Sequence, residues 1–131
     1  VRLRQQEANA KRICEALKAN PHVTDVFYVG DPDHPDYVLS KRQTAGFGAM
    51  ISFKTDTHQR ALDTLERTRL ILFAESLGGT ESLVTYPLVQ THGAIPAPML
   101  DKLGIDDRLL RLSVGIEDVE DLLADLDQAL A

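Results

Sequence analysis

The stretch LLRLSVGIEDVEDLLADLDQAL, from Leu109 to Leu130, decides the fold because its hydrophobic period changes half-way along. Side chains alternate over Leu109 to Gly115 as in a β-strand, and one face carries Leu110, Leu112 and Val114. After Asp118, a plausible N-cap, apolar residues recur every three or four positions, and Glu120 and Asp121 place negative charge in the first helical turn. The stretch therefore predicts a strand followed at once by an amphipathic helix.

The upstream sequence shows the same mixture of helical and strand periods. It predicts helices over 1–20, 37–43 and 57–70, a helical turn over 99–103, and strands over 23–29, 46–55 and 82–86. The apolar stripe of the first helix consists of Leu3, Ala10, Ile13 and Leu17. We expect an α+β domain with a small, mostly antiparallel sheet and helices packed on one face. Residues 1–131 form a single domain in this prediction, with an N-terminal helix over 1–20 and the sheet and C-terminal helix within 21–131.

Composition narrows the classes of function. The 131 residues carry a net charge of −6 without a basic patch, which argues against nucleic-acid binding. No apolar run reaches the length of a membrane span, and the single cysteine, Cys14, fits a reducing cytoplasm. A 44% share of apolar residues is enough for a core without disulfides or metals. Since the chain begins with Val1, we expect a fragment of a longer chain.

Arg111 is the first candidate binding residue, because it lies in mid-strand on the face opposite Leu110 and Leu112. A guanidinium at such a position needs either water or a fixed anion, and its planar fork can hold a carboxylate through two hydrogen bonds. The pattern by itself favours an arginine on the wet face of an antiparallel strand.

Two further segments carry candidate residues, and the pattern favours an ordinary role for both. Glu75 and Ser76 lie between an apolar run and Gly78-Gly79, where a serine can bind a ligand or simply form a turn. Thr91 and His92 lie in a proline-rich loop, where a lone histidine is usually incidental. We expect no metal site, because no histidine or cysteine pair has ligand spacing, and no nucleophile elbow is present.

Five ordered segments resemble one family, the Cys/Met-metabolism enzymes that depend on pyridoxal phosphate (PLP). These segments are RLRQQEANA (2–10), KRQTAGFGAMISF (41–53), AESLGGTESLVTYP (74–87), QTHGAIP (90–96) and LLRLSVGIEDVEDLLADLDQAL (109–130). The resemblance covers nearly the whole chain, and the ESLGG and RLSVGIED motifs are specific in combination. It implies the C-terminal small domain of a fold-type I PLP enzyme.

The resemblance also implies roles that the pattern left open. In the family, the arginine of RLSVGIE binds the substrate α-carboxylate, which here is Arg111. The serine of ESLGG, Ser76, helps to hold the same carboxylate. The preceding Glu75 lies near the substrate, and Thr91 of the TH motif lies close to the carboxylate site.

The activity implied is that of a trans-sulfuration enzyme of the cystathionine γ-synthase or cystathionine β/γ-lyase type, acting on sulfur amino acids or activated homoserine. PLP, its lysine and the catalytic residues would lie in a large domain that precedes Val1, so we expect no catalytic or cofactor-binding residue in these 131 residues and no activity from them alone. The full-length enzyme is expected to form a homo-oligomer. The alternative is a non-catalytic binding or assembly module that retained the small-domain fold.

Overall fold

A computed structural model describes residues 1–131 and contains five helices and five strands. The helices are α1 (Arg2–Ala19), α2 (Tyr37–Gln43), α3 (His58–Arg67), α4 (Ala97–Leu103) and α5 (Val119–Leu130). The strands are β1 (Val23–Phe27), β2 (Met50–Thr55), β3 (Leu72–Phe73), β4 (Leu83–Thr85) and β5 (Leu109–Ser113). None of the five helices combines the length and the apolar character needed to cross a membrane.

The strands form one mixed sheet in the order β1-β2-β5-β4-β3. The pairs β1–β2, β2–β5 and β5–β4 are antiparallel, whereas β3 and β4 run parallel. Across the middle of the sheet, Arg111 on β5 lies opposite Ser52 on β2 and Thr85 on β4. The strand predicted over Leu109 to Gly115 is therefore the centre of the sheet, with its neighbours in a fixed register.

The core lies between one face of this sheet and the long helices α1, α3 and α5. Strand residues that alternate toward this face are fully buried, namely Ile51, Phe53, Leu110 and Leu112. Each such side chain contributes about 1.5–3 kcal/mol relative to an exposed one. Helices α1, α3 and α5 thus pack on one face of the sheet, as predicted. The end of α4, in contrast, borders the opposite face, where Leu103 lies near Arg111.

The buried stripe of α1 differs from the predicted one at its N-terminal end. Leu3 is exposed, whereas the polar residues Gln6 and Asn9 are buried. The Gln6 amide donates a hydrogen bond to the Gly79 carbonyl, and the Asn9 amide donates to the carbonyls of Gly115 and Glu117. Hydrophobic periodicity misses such residues because they satisfy loop carbonyls rather than fill the core.

Helix α5 is capped as predicted, since the Asp118 side chain accepts a hydrogen bond from the Glu120 N–H. Helix α3 ends at Arg67, three residues before the predicted end at Leu70. The reason is Asp125, a buried residue of α5 that accepts hydrogen bonds from the backbone N–H groups of residues 69, 70 and 71. Because these N–H groups bond to Asp125 instead of to helical carbonyls, the helix ends and the chain continues into β3.

Candidate functional site

The site forms on the sheet face that the three long helices leave uncovered. A cavity of about 350 Å³ lies over β2 and β5 on this face. Arg111 contributes to its wall, and the proline-rich segment (87–98) and the C-terminal end of α4 border it on the side away from the sheet. The other residues around it are Phe27, Ser52, Lys54, Pro87, His92, Leu103, Gly104, Ile105 and Leu109.

The Arg111 guanidinium has almost no partners within the chain. Its one hydrogen bond runs from Nη2 to the Thr85 hydroxyl oxygen at 3.4 Å, and no carboxylate pairs with it. Its Nε is buried and has no hydrogen-bond partner. A buried charged donor without an acceptor is unfavourable, so this geometry favours an anion that enters the cavity. A carboxylate fits because it accepts two parallel hydrogen bonds from a guanidinium.

Lys54, the second basic residue on the cavity wall, already forms an ion pair within the chain. Its Nζ lies 2.9 Å from a carboxylate oxygen of Asp106. Burial tends to raise the pKa of Asp106, but the hydrogen bonds from the Lys54 ammonium and the Arg108 backbone N–H, together with the positive charges of Lys54 and Arg108, outweigh it and leave the pKa below its usual value. Lys54 therefore has a carboxylate partner within the chain, and Arg111 is the basic side chain on the cavity wall that lacks one.

Glu75 and Ser76 follow β3 and have exposed side chains that make no hydrogen bond within the chain. The loop that continues from them is fixed at several points. The Gly78 N–H donates to the Ser113 hydroxyl at 2.8 Å, and the Ile116 N–H donates to the Thr80 carbonyl at 2.8 Å. Gly78 adopts a φ of +78°, a conformation that favours glycine. This segment therefore presents two free polar side chains on a rigid base.

Thr91 and His92 lie in the segment that borders the cavity. Thr91 is exposed, and its hydroxyl lies 2.6 Å from the His92 Nδ1 and 3.4 Å from the Pro87 carbonyl. His92 itself lines the cavity with Arg111. The structure thus brings His92 to the cavity, although the sequence pattern favoured an incidental histidine.

Of the four predicted binding residues, Arg111 alone lines the cavity. Thr91 precedes a lining residue, and Glu75 and Ser76 lie at the end of β3, separated from β5 by β4. Sequence reasoning missed Thr85, Ser52 and Lys54. Alternation along β2 puts Ser52 and Lys54 on the face opposite Ile51 and Phe53, and the pairing of Ser52 with Arg111 shows that this face also carries Arg111. No three His, Cys, Asp or Glu side chains come together as a metal site would require.

The family model of the Cys/Met metabolism PLP-dependent enzymes matches residues 1–131. The chain belongs to this family. Cystathionine γ-lyase from Dictyostelium discoideum is 47% identical over 131 residues, which are 99% of this chain and 34% of that protein. Cystathionine β-lyase from Lactococcus lactis subsp. cremoris strain MG1363 is 42% identical over 130 residues, again 99% of this chain and 34% of that protein.

A solved structure agrees with this family assignment. Cystathionine γ-synthase from Xanthomonas oryzae pv. oryzae, in complex with aminoacrylate and cysteine, superimposes with a TM-score of 0.94 at 43% identity. The alignment covers 98% of this chain and 34% of the other. The mixed sheet and five helices thus match a fragment of a fold-type I PLP enzyme. The chain spans about a third of the length of the curated relatives that it matches.

Proposed function

We propose that this chain is the C-terminal, substrate-binding part of a PLP-dependent trans-sulfuration enzyme, of the cystathionine γ-synthase or cystathionine β/γ-lyase type. The single observation that carries the proposal is Arg111, whose buried Nε lacks a partner on the wall of a cavity with room for an amino acid. The names of the related enzymes support amino-acid chemistry at sulfur.

Arg111 binds the α-carboxylate of the substrate in this proposal. Nε and one terminal nitrogen form the edge of the guanidinium that meets the two carboxylate oxygens. A bound carboxylate gives the buried Nε the acceptor that it lacks within the chain. The substrate is thereby fixed in orientation as well as held, because two parallel hydrogen bonds permit one plane only.

The three remaining residues serve the same amino acid. Ser76 donates its hydroxyl to the α-carboxylate, and Thr91 lies beside the carboxylate site on the adjoining loop. Glu75 lies next to the reacting part of the substrate and influences which substrate is preferred. All three have exposed side chains, so none has to be withdrawn from the core to reach a ligand.

The residues of this chain fit the amino acid rather than the cofactor. PLP, when bound, supplies the electron sink for chemistry on the amino acid. Lys54 is the one lysine on the cavity wall, and its Nζ is held 2.9 Å from a carboxylate oxygen of Asp106 rather than left free to meet an aldehyde. We therefore assign the cofactor, its lysine and the catalytic groups to a large domain outside these 131 residues, and no step through the cofactor involves a residue of this chain.

Replacing Arg111 in the full-length enzyme tests the proposal. Losing one partner of a buried, hydrogen-bonded ion pair costs about 2–5 kcal/mol, so Arg111→Ala should raise the KM for the amino-acid substrate (L-cystathionine for a lyase, an activated homoserine for a synthase) by about 30-fold or more. Arg111→Lys keeps the charge but loses the fork and should recover only part of the affinity. Arg67→Ala is the matched control, since Arg67 lies at the surface end of α3 and pairs with Asp63.

The result also shows whether this part of the enzyme contacts the substrate. Kinetic constants for Arg111→Ala that equal those of the Arg67→Ala control would contradict a role for Arg111 in substrate binding. The alternative, a non-catalytic binding or assembly module, predicts instead that the full-length protein turns over no sulfur amino acid.

A further inference from the structure

We infer that Thr85 is a positioning residue that orients Arg111 for the substrate carboxylate and connects it to the segment carrying Glu75 and Ser76. The inference rests on the proposed function, because it takes Arg111 as the carboxylate-binding residue. Nothing in the sequence motifs singled out Thr85, which lies on β4 between Val84 and Tyr86.

Thr85 lies at the one point where the Arg111 guanidinium touches a hydrogen-bonding group of the chain. The two residues are direct partners across the β4–β5 pair, and the Arg111 Nη2 lies 3.4 Å from the Thr85 Oγ1. Thr85 is itself 1% exposed, so water does not replace this contact freely. The hydroxyl therefore limits the rotation of the guanidinium by binding Nη2, and it leaves Nε free for a ligand.

A second hydrogen bond fixes the direction of the Thr85 hydroxyl. It donates its only proton to the Ala74 carbonyl at 2.9 Å. A hydroxyl has one proton and two lone pairs, so the proton given to Ala74 leaves a lone pair for the Arg111 N–H. The bonds run in one sense, from the guanidinium to the hydroxyl to the carbonyl, and neither can be formed by an aliphatic side chain.

These two hydrogen bonds connect β5, β4 and the residue that directly follows β3. Arg111 lies on β5 and Thr85 on β4, while Ala74 follows β3 and immediately precedes Glu75. The Ala74 N–H also donates to the Val84 carbonyl at 3.1 Å, so both the N–H and the carbonyl of Ala74 are hydrogen-bonded to β4. One hydroxyl thus sets the position of Arg111 relative to the Glu75–Ser76 segment, although the side chains of these residues do not touch.

Substitutions that keep or remove the hydroxyl test the inference in the full-length, PLP-loaded enzyme. Thr85→Val keeps the shape and removes both hydrogen bonds, Thr85→Ala adds no new atom, and Thr85→Ser keeps the hydroxyl. The probes are the KM for the same amino-acid substrate as in the Arg111 test and the inhibition constant of L-norleucine, an α-amino acid without a leaving group. We expect Thr85→Val and Thr85→Ala to raise both constants by about 3- to 10-fold, as for the loss of one or two hydrogen bonds. Turnover should change less than about twofold, and Thr85→Ser should restore both constants.

Thr64→Val is the matched control. Thr64 is also fully buried, and its hydroxyl donates to a backbone carbonyl, that of Arg60, at 2.7 Å. It lies in α3, against the opposite face of the sheet. Thr64→Val should lower the midpoint of urea unfolding as Thr85→Val does, while both constants stay at the wild-type value.

Each other outcome overturns the inference. Wild-type constants for both Thr85→Val and Thr85→Ala exclude a positioning role for the hydroxyl. Constants that rise as much in Thr85→Ser as in Thr85→Ala exclude the hydroxyl as the cause. If Arg111→Ala leaves the constants unchanged, the proposed function itself fails. If Arg111→Ala raises them and Thr85→Ala does not, only the present inference fails.

Discussion

Asp125→Ala should destabilise the fold more than any other single change of a polar side chain in α5. The Asp125 carboxylate is 6% exposed and accepts hydrogen bonds at 2.8–3.2 Å from the backbone N–H groups of Arg69, Leu70 and Ile71. The Gln128 amide donates a further bond at 3.0 Å. These bonds end α3 and begin β3, so the substitution removes the group that joins two elements to α5.

The cost follows from which of these donors water can reach. Ile71 is 2% exposed, so its N–H loses a partner that water does not replace, at about 1–3 kcal/mol. Arg69 and Leu70 are exposed, and hydration compensates most of their loss. Adding a smaller contribution for these two charge-assisted bonds gives about 2–4 kcal/mol for the whole substitution.

The effect depends on pH in a defined direction. Burial tends to raise the pKa of Asp125, but the hydrogen bonds from Ile71, Arg69, Gln128 and Leu70 outweigh it, and the pKa lies below its ordinary value. A lowered pKa stabilises the fold above the unfolded pKa, about 3.9 for aspartate, and this contribution disappears as the pH falls through the lower folded pKa. The difference between wild type and Asp125→Ala should therefore be full at pH 7 and shrink in acid below about pH 4.

Urea unfolding at several pH values measures both effects. Asp127→Ala is the matched control, because Asp127 lies on the same helix, is exposed and makes no hydrogen bond or ion pair. Its effect should stay within about 0.5 kcal/mol. An Asp125→Ala variant as stable as Asp127→Ala at pH 7, or a difference that grows in acid, would refute the reasoning.

Two further predictions concern the packing of Gly115 against residues 80 and 81 and the absence of a cofactor lysine. Gly115→Ala should destabilise the chain by about 1–3 kcal/mol in urea unfolding, because a Cβ would overlap the Thr80 carbonyl oxygen and lie 2.7 Å from the Glu81 carbonyl carbon. Gly46→Ala is its control, since a Cβ there meets only the movable Glu7 carboxylate, and equal effects of the two would contradict this reasoning. Equimolar PLP followed by borohydride should leave the mass of the 131-residue chain unchanged, because the proposed function assigns the cofactor lysine to another part of the enzyme. Stoichiometric labelling of one lysine would refute that assignment.

Strong local signals made much of the fold predictable. The bounds of α2 are those predicted, and α5 begins at its predicted cap because Asp118 supplies a side-chain acceptor. Long-range contacts decided what the sequence did not predict. Helix α3 is shorter than predicted because Asp125, which belongs to α5, accepts hydrogen bonds from the residues that follow α3. The parallel pairing of β3 with β4 was not predictable because β3 has only two residues, too few to show a periodicity.

The candidate site was predictable in its key residue and not in its surroundings. Arg111 stood out because an arginine between leucines in a strand needs a reason, and its assignment to a carboxylate came from the family resemblance. Thr85 and His92 required the register of β4 against β5 and the path of the proline-rich segment, which no local pattern encodes. The roles of Arg111, Glu75, Ser76 and Thr91, the homo-oligomer and the cytoplasmic location remain predictions.

The most direct measurement compares two inhibitors that differ only in the α-carboxylate. L-Norleucine carries it, whereas pentylamine is the same molecule without it. If Arg111 binds the carboxylate, the wild-type full-length enzyme should favour L-norleucine by about 30-fold or more, and Arg111→Ala should reduce this preference to about 3-fold or less. A preference that is equally large in both enzymes would contradict the assignment of Arg111 to the substrate carboxylate.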